Sequence, residues 1–335
     1  MQPLSAAGAI APAWERTRAH LLQDFSLRRY MKLASVAFLA SLGAGFNSNV
    51  NMHNGHSGLH NPVSAAVAAV AATALVAIVL ATIVIGLVLF YVGSRMQFVL
   101  FETVVMRSSL IAPVWKRYAR RTWRWIGLKL MLFLAGFVMM LPVLLPILLT
   151  AIRSGKHMGG RALFVSFLGT FSLMFLLILV LMAIYFLLQD FVMPVMALED
   201  ASIGTGLGRL KVLFEQEPGA VLLYVLLRFV LGLIFSIALF VVWGIVMLVS
   251  AIPFVIAGFA LYLPLHKSGI AGLVVMVAGF LVMGLIGFAW ALCTLIAVAG
   301  YKETFFQTYA VCFYAGRYPL LNSLFDPQPA TEPLG

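Results

Sequence analysis

VSAAVAAVAATALVAIVLATIVIGLVLFY, residues 63–91, runs for about 29 residues without one charged or amide side chain. As a helix at about 1.5 Å per residue it reaches roughly 44 Å, more than the ~30 Å hydrocarbon core of a bilayer. A surface helix of a soluble domain keeps a polar face, and this stretch has none. It therefore predicts a helix that crosses a membrane. Five further runs share its character: residues 30–46, 125–152, 163–188, 220–250 and 270–299. The first is the shortest and lies at the lower limit for a crossing. Basic residues lead into it (Arg16, Arg18, Arg28, Arg29, Lys32), but the polar lead is too long for a secretory signal, so it reads as a retained helix. Residues 251–265 are also apolar but carry Pro253 and Pro264, and read as a re-entrant or interfacial segment rather than a seventh span.

Composition agrees. Hydrophobic residues make up 63% of the chain and charged residues 10%, against about 25% charged in soluble domains. So few charges cannot cover a soluble surface. The net charge of +11 would suit nucleic acid, but the cations flank apolar runs, where they set topology and meet anionic lipid. No nucleic-acid partner is expected; membrane lipids are, with a protein partner or a second copy left open. Cys293 and Cys312 have no metal-like spacing and read as isolated thiols.

Orientation follows from the charges. Of 22 Lys and Arg residues, 17 fall in the N-terminal segment, in 92–124 with Lys129, in 189–219 and after the sixth run, while Arg153, Lys156, Arg161 and Lys267 lie on the other side and Arg228 inside a run. All eleven Asp and Glu residues share the side of the basic majority. The positive-inside rule puts that side, with both termini, in the cytoplasm. The expected fold is an all-α polytopic membrane bundle, six transmembrane helices as three hairpins, with amphipathic helices on the cytoplasmic face. Residues 1–29 form a cytoplasmic segment, 30–316 the membrane domain, and 317–335 a Pro-containing cytoplasmic tail. A repeat supports the hairpins: after every second run a polar residue, Gln97, Asp190 or Glu303, is followed by aromatic and aliphatic ones.

Two constellations stand out. Trp115, Lys116, Arg117, Arg120, Arg121, Trp123, Arg124 and Trp125 interleave cations with indoles, the pattern of a segment in the headgroup layer; an ordinary topogenic flank is the plainer reading. Arg228 lies inside the fifth run, and Asp190 ends the fourth at the same face, so the two make a candidate intramembrane ion pair. His53, His56 and His60 sit in a Gly- and Asn-rich loop with no Cys, Asp or Glu on that side, so no metal site is expected. Gly204, Gly206 and Gly208 match no phosphate loop, and Leu207 to Phe214 reads as a short amphipathic helix. No catalytic or cofactor-binding set emerges, and the runs lack the carboxylates on which proton-coupled carriers rely.

Phe25-Ser-Leu-Arg-Arg-Tyr, the outer loop, Arg95-Met-Gln-Phe-Val-Leu-Phe-Glu, Asp190-Phe-Val-Met-Pro-Val-Met and Thr304 to Tyr314 together resemble a bacterial family of six-span membrane proteins of unknown function. That family is related to the membrane domain fused to some glycerophosphodiester phosphodiesterases. The resemblance implies a multi-pass protein of the bacterial cytoplasmic (inner) membrane. In the fused relatives hydrolysis belongs to a separate soluble domain, whose acidic metal ligands and His pair have no counterpart here. The function expected is non-enzymatic, a membrane scaffold or lipid-interacting module; the alternative is a transporter or channel built from the threefold hairpin repeat.

Overall fold

The computed structural model describes residues 4–23, 26–43, 62–107, 111–153, 160–266 and 268–325, with side chains for all but 62–69, 71, 146–153 and 160–167. Among these every regular element is helical: α1 (Ile10–Leu22), α2 (Leu27–Leu42), α3 (Pro62–Met106), α4 (Ile111–Arg117), α5 (Ala119–Arg153), α6 (Gly160–Leu187), α7 (Met193–Glu199), α8 (Ile203–Gln216), α9 (Pro218–Leu265), α10 (Gly269–Ala315) and α11 (Pro319–Phe325). Helix is what an apolar chain must form in lipid, because it satisfies every backbone donor and acceptor within one segment. The loop with His53, His56 and His60, and the residues Lys156, His157 and Lys267, lie outside the described residues.

Among the described residues, five segments are long and apolar enough to cross a bilayer: Ala72–Met106, Ala119–Leu145, Leu168–Glu199, Pro218–Leu265 and Gly269–Ala315. The sixth expected span, residues 30–46, is represented by α2, whose 16 residues reach only about 24 Å. The structure also differs from expectation at 251–265, which is no separate segment but the continuation of α9, with Pro253 and Pro264 inside the helix. A mid-helix proline costs about 3 kcal/mol. Here α9 is held against α10: Gly258 lies under Phe280, Gly279 under Leu261, and Trp290 Nε1 donates to Ser250 Oγ at 2.8 Å.

The helices outrun the apolar runs. Glu102 falls within α3 and Glu303 within α10, so the polar exits continue helices rather than end them. Burial explains why. Along α3, residues such as Leu75, Ile83 and Val88 are exposed, whereas Ser94, Gln97, Phe98, Phe101 and Val104 are buried. The same change occurs toward the end of α10, where nearly every residue from Thr304 to Ala315 is buried. The packed core therefore sits at one end, the end bearing the carboxylates, around Phe98, Trp125, Phe191, Met196, Tyr224, Tyr309 and Phe313. Where side chains are described, the remainder of the long helices presents mostly apolar ones outward, as lipid requires.

Six helices close a ring: α2 packs on α3, α3 on α5, α5 on α6, α6 on α9, α9 on α10, and α10 back on α2. α2 begins at Ser26, whose hydroxyl accepts from Arg29 N at 3.2 Å, an N-cap. It buries a stripe of Leu33, Ala34, Ala37 and Ala40, small residues that let neighbouring backbones approach. A Cβ on Gly300 would lie 2.5 Å from Ala34 Cα, and one on Gly43 2.5 Å from the Gly93 carbonyl carbon. Short elements cover this end. α6 widens into a single π-helical turn, Leu188–Val192, where Met193 N donates to Leu188 O. Pro194 follows at once. Its ring would strike the carbonyl four residues back in an unbroken α-helix, and the π turn relieves that clash. Asp200, in the left-handed region at φ 50°, ends α7. Gly204, Gly206 and Gly208 lie in α8, capped by Ser202.

The terminal segments are part of the body. α1 buries Ala13, Thr17 and Leu21, and Tyr309 donates to Ala6 O at 3.0 Å. The first part of the expected C-terminal tail also packs: Arg317 pairs with Glu217 at 2.7 Å, and α11 buries Leu321 and Phe325. On α1, burial and then the nearby Arg29 and Arg107 push the His20 imidazole down to about 4. At pH 7 the ring is neutral whether folded or unfolded and contributes nothing. Below about 6.5 the unfolded chain takes a proton that the folded chain refuses until about pH 4. Stability should thus fall by up to about 3 kcal/mol across that window. Thermal unfolding in detergent at pH 7 and pH 4.5 measures it, and His20→Gln should lose less between the two pH values than the unaltered protein.

Candidate functional site

Sequence reasoning marked two constellations, and the structure places both at the carboxylate-bearing end. Residues 115–125 form α4, a one-residue break at Tyr118 and the start of α5. Arg95 fixes the segment from beneath. Its guanidinium lies 4.2 Å from the Trp115 ring centroid, its Nε donates to Trp115 O at 2.9 Å, and NH1 donates to the Tyr91 hydroxyl at 3.0 Å. Lys116 and Arg120 are exposed, and Trp123 is 64% exposed. Arg117 pairs with Glu102 at 2.8 Å, while Arg121 and Arg124 reach Asp200 at 3.1 and 3.4 Å. Burial and the Glu102 carboxylate raise the Tyr118 phenol above its ordinary range. Trp125, counted by position with the headgroup-facing residues, is instead fully buried and donates Nε1 to Gln97 Oε1 at 2.7 Å. It follows Trp123 by two residues, about 200° around the helix, so the two indoles face opposite ways.

The second constellation is compact. Arg228 Nε lies 2.9 Å from Asp190 Oδ2, with side chains 6% and 0% exposed. Tyr224 donates its hydroxyl to the same oxygen at 2.8 Å. Arg228 NH1 donates to Phe306 O at 3.3 Å, and the guanidinium lies between the rings of Phe186 and Phe306, at 4.8 and 5.1 Å. The π turn aims Asp190 inward from α6, α9 supplies Tyr224 and Arg228 one turn apart, and α10 supplies the carbonyl and a ring. Asp190 Oδ1, Arg228 Nε and Gln307 Nε2 are buried without hydrogen-bond partners among the described residues, so Arg228 meets Asp190 as an ion pair rather than through an aligned hydrogen bond.

A third cluster escaped sequence reasoning. Lys129 is buried, and its Nζ donates to Gly43 O at 2.7 Å, Gln97 Oε1 at 2.8 Å and Ser94 Oγ at 3.1 Å. The rings of Trp125, Phe90 and Tyr185 surround it at 5.2 to 5.9 Å. Gln97 Nε2 donates in turn to Ala40 O at 3.1 Å and the Tyr185 hydroxyl at 3.0 Å. The arrangement parallels the Asp190 cluster. In each, a polar residue where one helix leaves the lipid-facing zone (Gln97 or Asp190) meets a cation from the next long helix (Lys129 or Arg228). An aromatic donor four residues before that cation (Trp125 or Tyr224) hydrogen-bonds the same oxygen that the cation approaches. Aromatic-x-x-x-cation after the first two polar exits was the signal available. Lys129 was missed because a basic residue near an apolar run counts as a topology flank.

These sites can hold charge, bind polar groups and tie helices. Among the described residues no three His, Cys, Asp or Glu side chains converge on a metal position. In comparisons with known proteins, no curated protein and no solved structure matches the chain. The model of one protein family, described as a family of unknown function (DUF7544), matches residues 4–324.

Proposed function

The chain belongs to that family of unknown function, and on this premise we propose a non-enzymatic, lipid-interacting membrane module or scaffold that works through its carboxylate-bearing end. The placement proposed with it is six spans in three hairpins in a bacterial cytoplasmic membrane, both termini inside. Kinship with the membrane domain of glycerophosphodiester phosphodiesterases belongs to the same proposal. The charge count supports the orientation, and the closed ring of six helices supports the hairpins. One observation carries the functional reading. Trp123 stands seven residues, two turns, before the exposed Leu130, so it marks the end of the lipid-facing stripe of α5 with Lys116 and Arg120 just beyond it. Indole at the interface and cations past it are what an anionic leaflet attracts. The transporter reading needs Arg228 in the wall of a water-filled path; its packing between two phenyl rings favours the first reading.

Each cation near an anionic surface contributes about 1 kcal/mol. Lys116→Gln with Arg120→Gln should therefore weaken retention of anionic lipid by roughly 30-fold, read by native mass spectrometry after mild extraction. Retention equal to that of the unaltered protein would sink the reading.

A further inference from the structure

Where α3, α4, α5 and α7 meet, a cavity of about 190 Å³ is lined by Phe101, Glu102, Arg117, Tyr118, Arg121 and Ala197, among others. That is room for a small polar molecule as well as for water. Glu102 is 8% exposed. Its Oε1 accepts from Arg117 at 2.8 Å, its Oε2 is buried with no hydrogen-bond partner among the described residues, and the Tyr118 phenol lies against the same carboxylate. A buried acceptor without a donor is costly, the more so when charged. Two guanidiniums share the cavity. Arg117, its side chain 58% exposed, has one N–H on Glu102 and carries others besides. Arg121 donates to Asp200 at 3.1 Å and to Ala197 O, with further N–H groups to offer.

The lining thus asks for two opposite things close together: a donor for Glu102 and an oxyanion for the arginines. A simple anion would meet the Glu102 charge, and a simple amine would meet two guanidiniums. We propose that this cavity binds a small zwitterion joining a primary ammonium to a phosphate, the chemistry of phosphoethanolamine, free or as a lipid headgroup. The ammonium donates to Glu102, and the phosphate takes charge-assisted hydrogen bonds from Arg117 and Arg121. The site stands on its own residues and rests on the lipid-interacting reading only for a membrane source of the ligand.

Isothermal titration of the full chain in detergent with O-phosphoethanolamine, phosphocholine and inorganic phosphate is the test. Phosphoethanolamine should saturate one site at least tenfold more tightly than the other two, since phosphocholine has no N–H to donate. Glu102→Gln should abolish the preference, and the exposed Arg117→Gln should weaken binding about tenfold in a chain that still elutes as the unaltered protein does. If no soluble probe binds, nanodiscs of mixed phosphatidylethanolamine and phosphatidylcholine are read by native mass spectrometry. Preferential retention of the ethanolamine lipid, lost in Glu102→Gln, assigns the headgroup as ligand. Equal binding of the two phospho-compounds, an unaltered preference in Glu102→Gln, or no preference in either format overturns the proposal. Lys116→Gln with Arg120→Gln leaves the preference intact, so this site and the leaflet surface fail separately.

Discussion

Arg228→Ala is expected to destabilise the protein by about 3–5 kcal/mol, the usual cost of removing one partner from a buried ion pair. The size follows from what remains. Asp190 has its side chain wholly buried, with the Arg228 charge and the Tyr224 hydroxyl both at Oδ2 and, among the described residues, nothing on Oδ1. Without the guanidinium the carboxylate must stay charged in a poorly solvated place or take a proton, and either is costly. The Phe306 carbonyl, already bonded within α10, also loses its side-chain donor, and the two phenyl rings face a void. In mild detergent the apparent unfolding midpoint should fall by roughly 10 °C. Arg228→Lys should lose less, because the charge survives while the fork to Phe306 O does not. Pairing Arg228→Met with Asp190→Leu should recover most of the loss, since it removes both charges together. A double variant no more stable than Arg228→Ala would show that packing, rather than charge, dominates this position.

The Lys129 cluster repeats the same design with a weaker anchor. There the cation meets three neutral acceptors and three rings instead of a carboxylate. In both clusters the cation reaches from the start of one long helix to the polar exit of the preceding one. Polar contacts so placed fix rotation and depth as well as attraction, because a slide of one turn, about 5.4 Å, would break every one of them. In lipid this matters more than in water: apolar faces there gain little from choosing one another. Among the described residues the third exit, Glu303, meets no such cation from a following long helix; at that junction Tyr30 donates to Ala297 O at 2.7 Å, and α2 packs by small residues instead.

What was legible in the sequence was what solvent dictates. Runs of apolar residues declared long helices because lipid leaves the backbone no alternative. The pairing of Asp190 with Arg228 could be guessed because a lone cation in such a run needs a partner. The packed end was far less visible. Residues 92–107 and 300–315 mix polar, aromatic and aliphatic side chains, and that mixture reads equally as a connector or as a helix buried on all sides. α1 was hidden for another reason: Ala6, Ala9 and Ala13 are buried, but alanine carries almost no hydrophobic signal. The cavity at Glu102 joins residues from three stretches, and no spacing along the chain announces it.

Gly300→Ala should destabilise the protein even though the same exchange in an open helix stabilises by about 0.5–1 kcal/mol. The added methyl would lie 2.5 Å from both Ala34 Cα and Ala34 Cβ, and 2.8 Å from Ala34 O. Backbone cannot rotate out of the way as a side chain can, so α2 as a whole would have to retreat from α10. It has nowhere to go, because its far end already lies backbone to backbone on α3 at Gly43 and Gly93. A shift there would also draw the Gly43 carbonyl off Lys129, 2.7 Å away, and the Ala40 carbonyl off Gln97. Overpacking costs about 1–3 kcal/mol where neighbours adjust; here the loss should reach the upper end, and Gly300→Leu should prevent assembly of the bundle. Gly86→Ala and Gly284→Ala, with nothing within 4 Å of an added Cβ, are the matched controls and should be neutral or stabilising. Unfolding midpoints of the four variants in one detergent decide the matter: if Gly300→Ala unfolds with Gly86→Ala, α2 is not wedged between α3 and α10 as the ring requires.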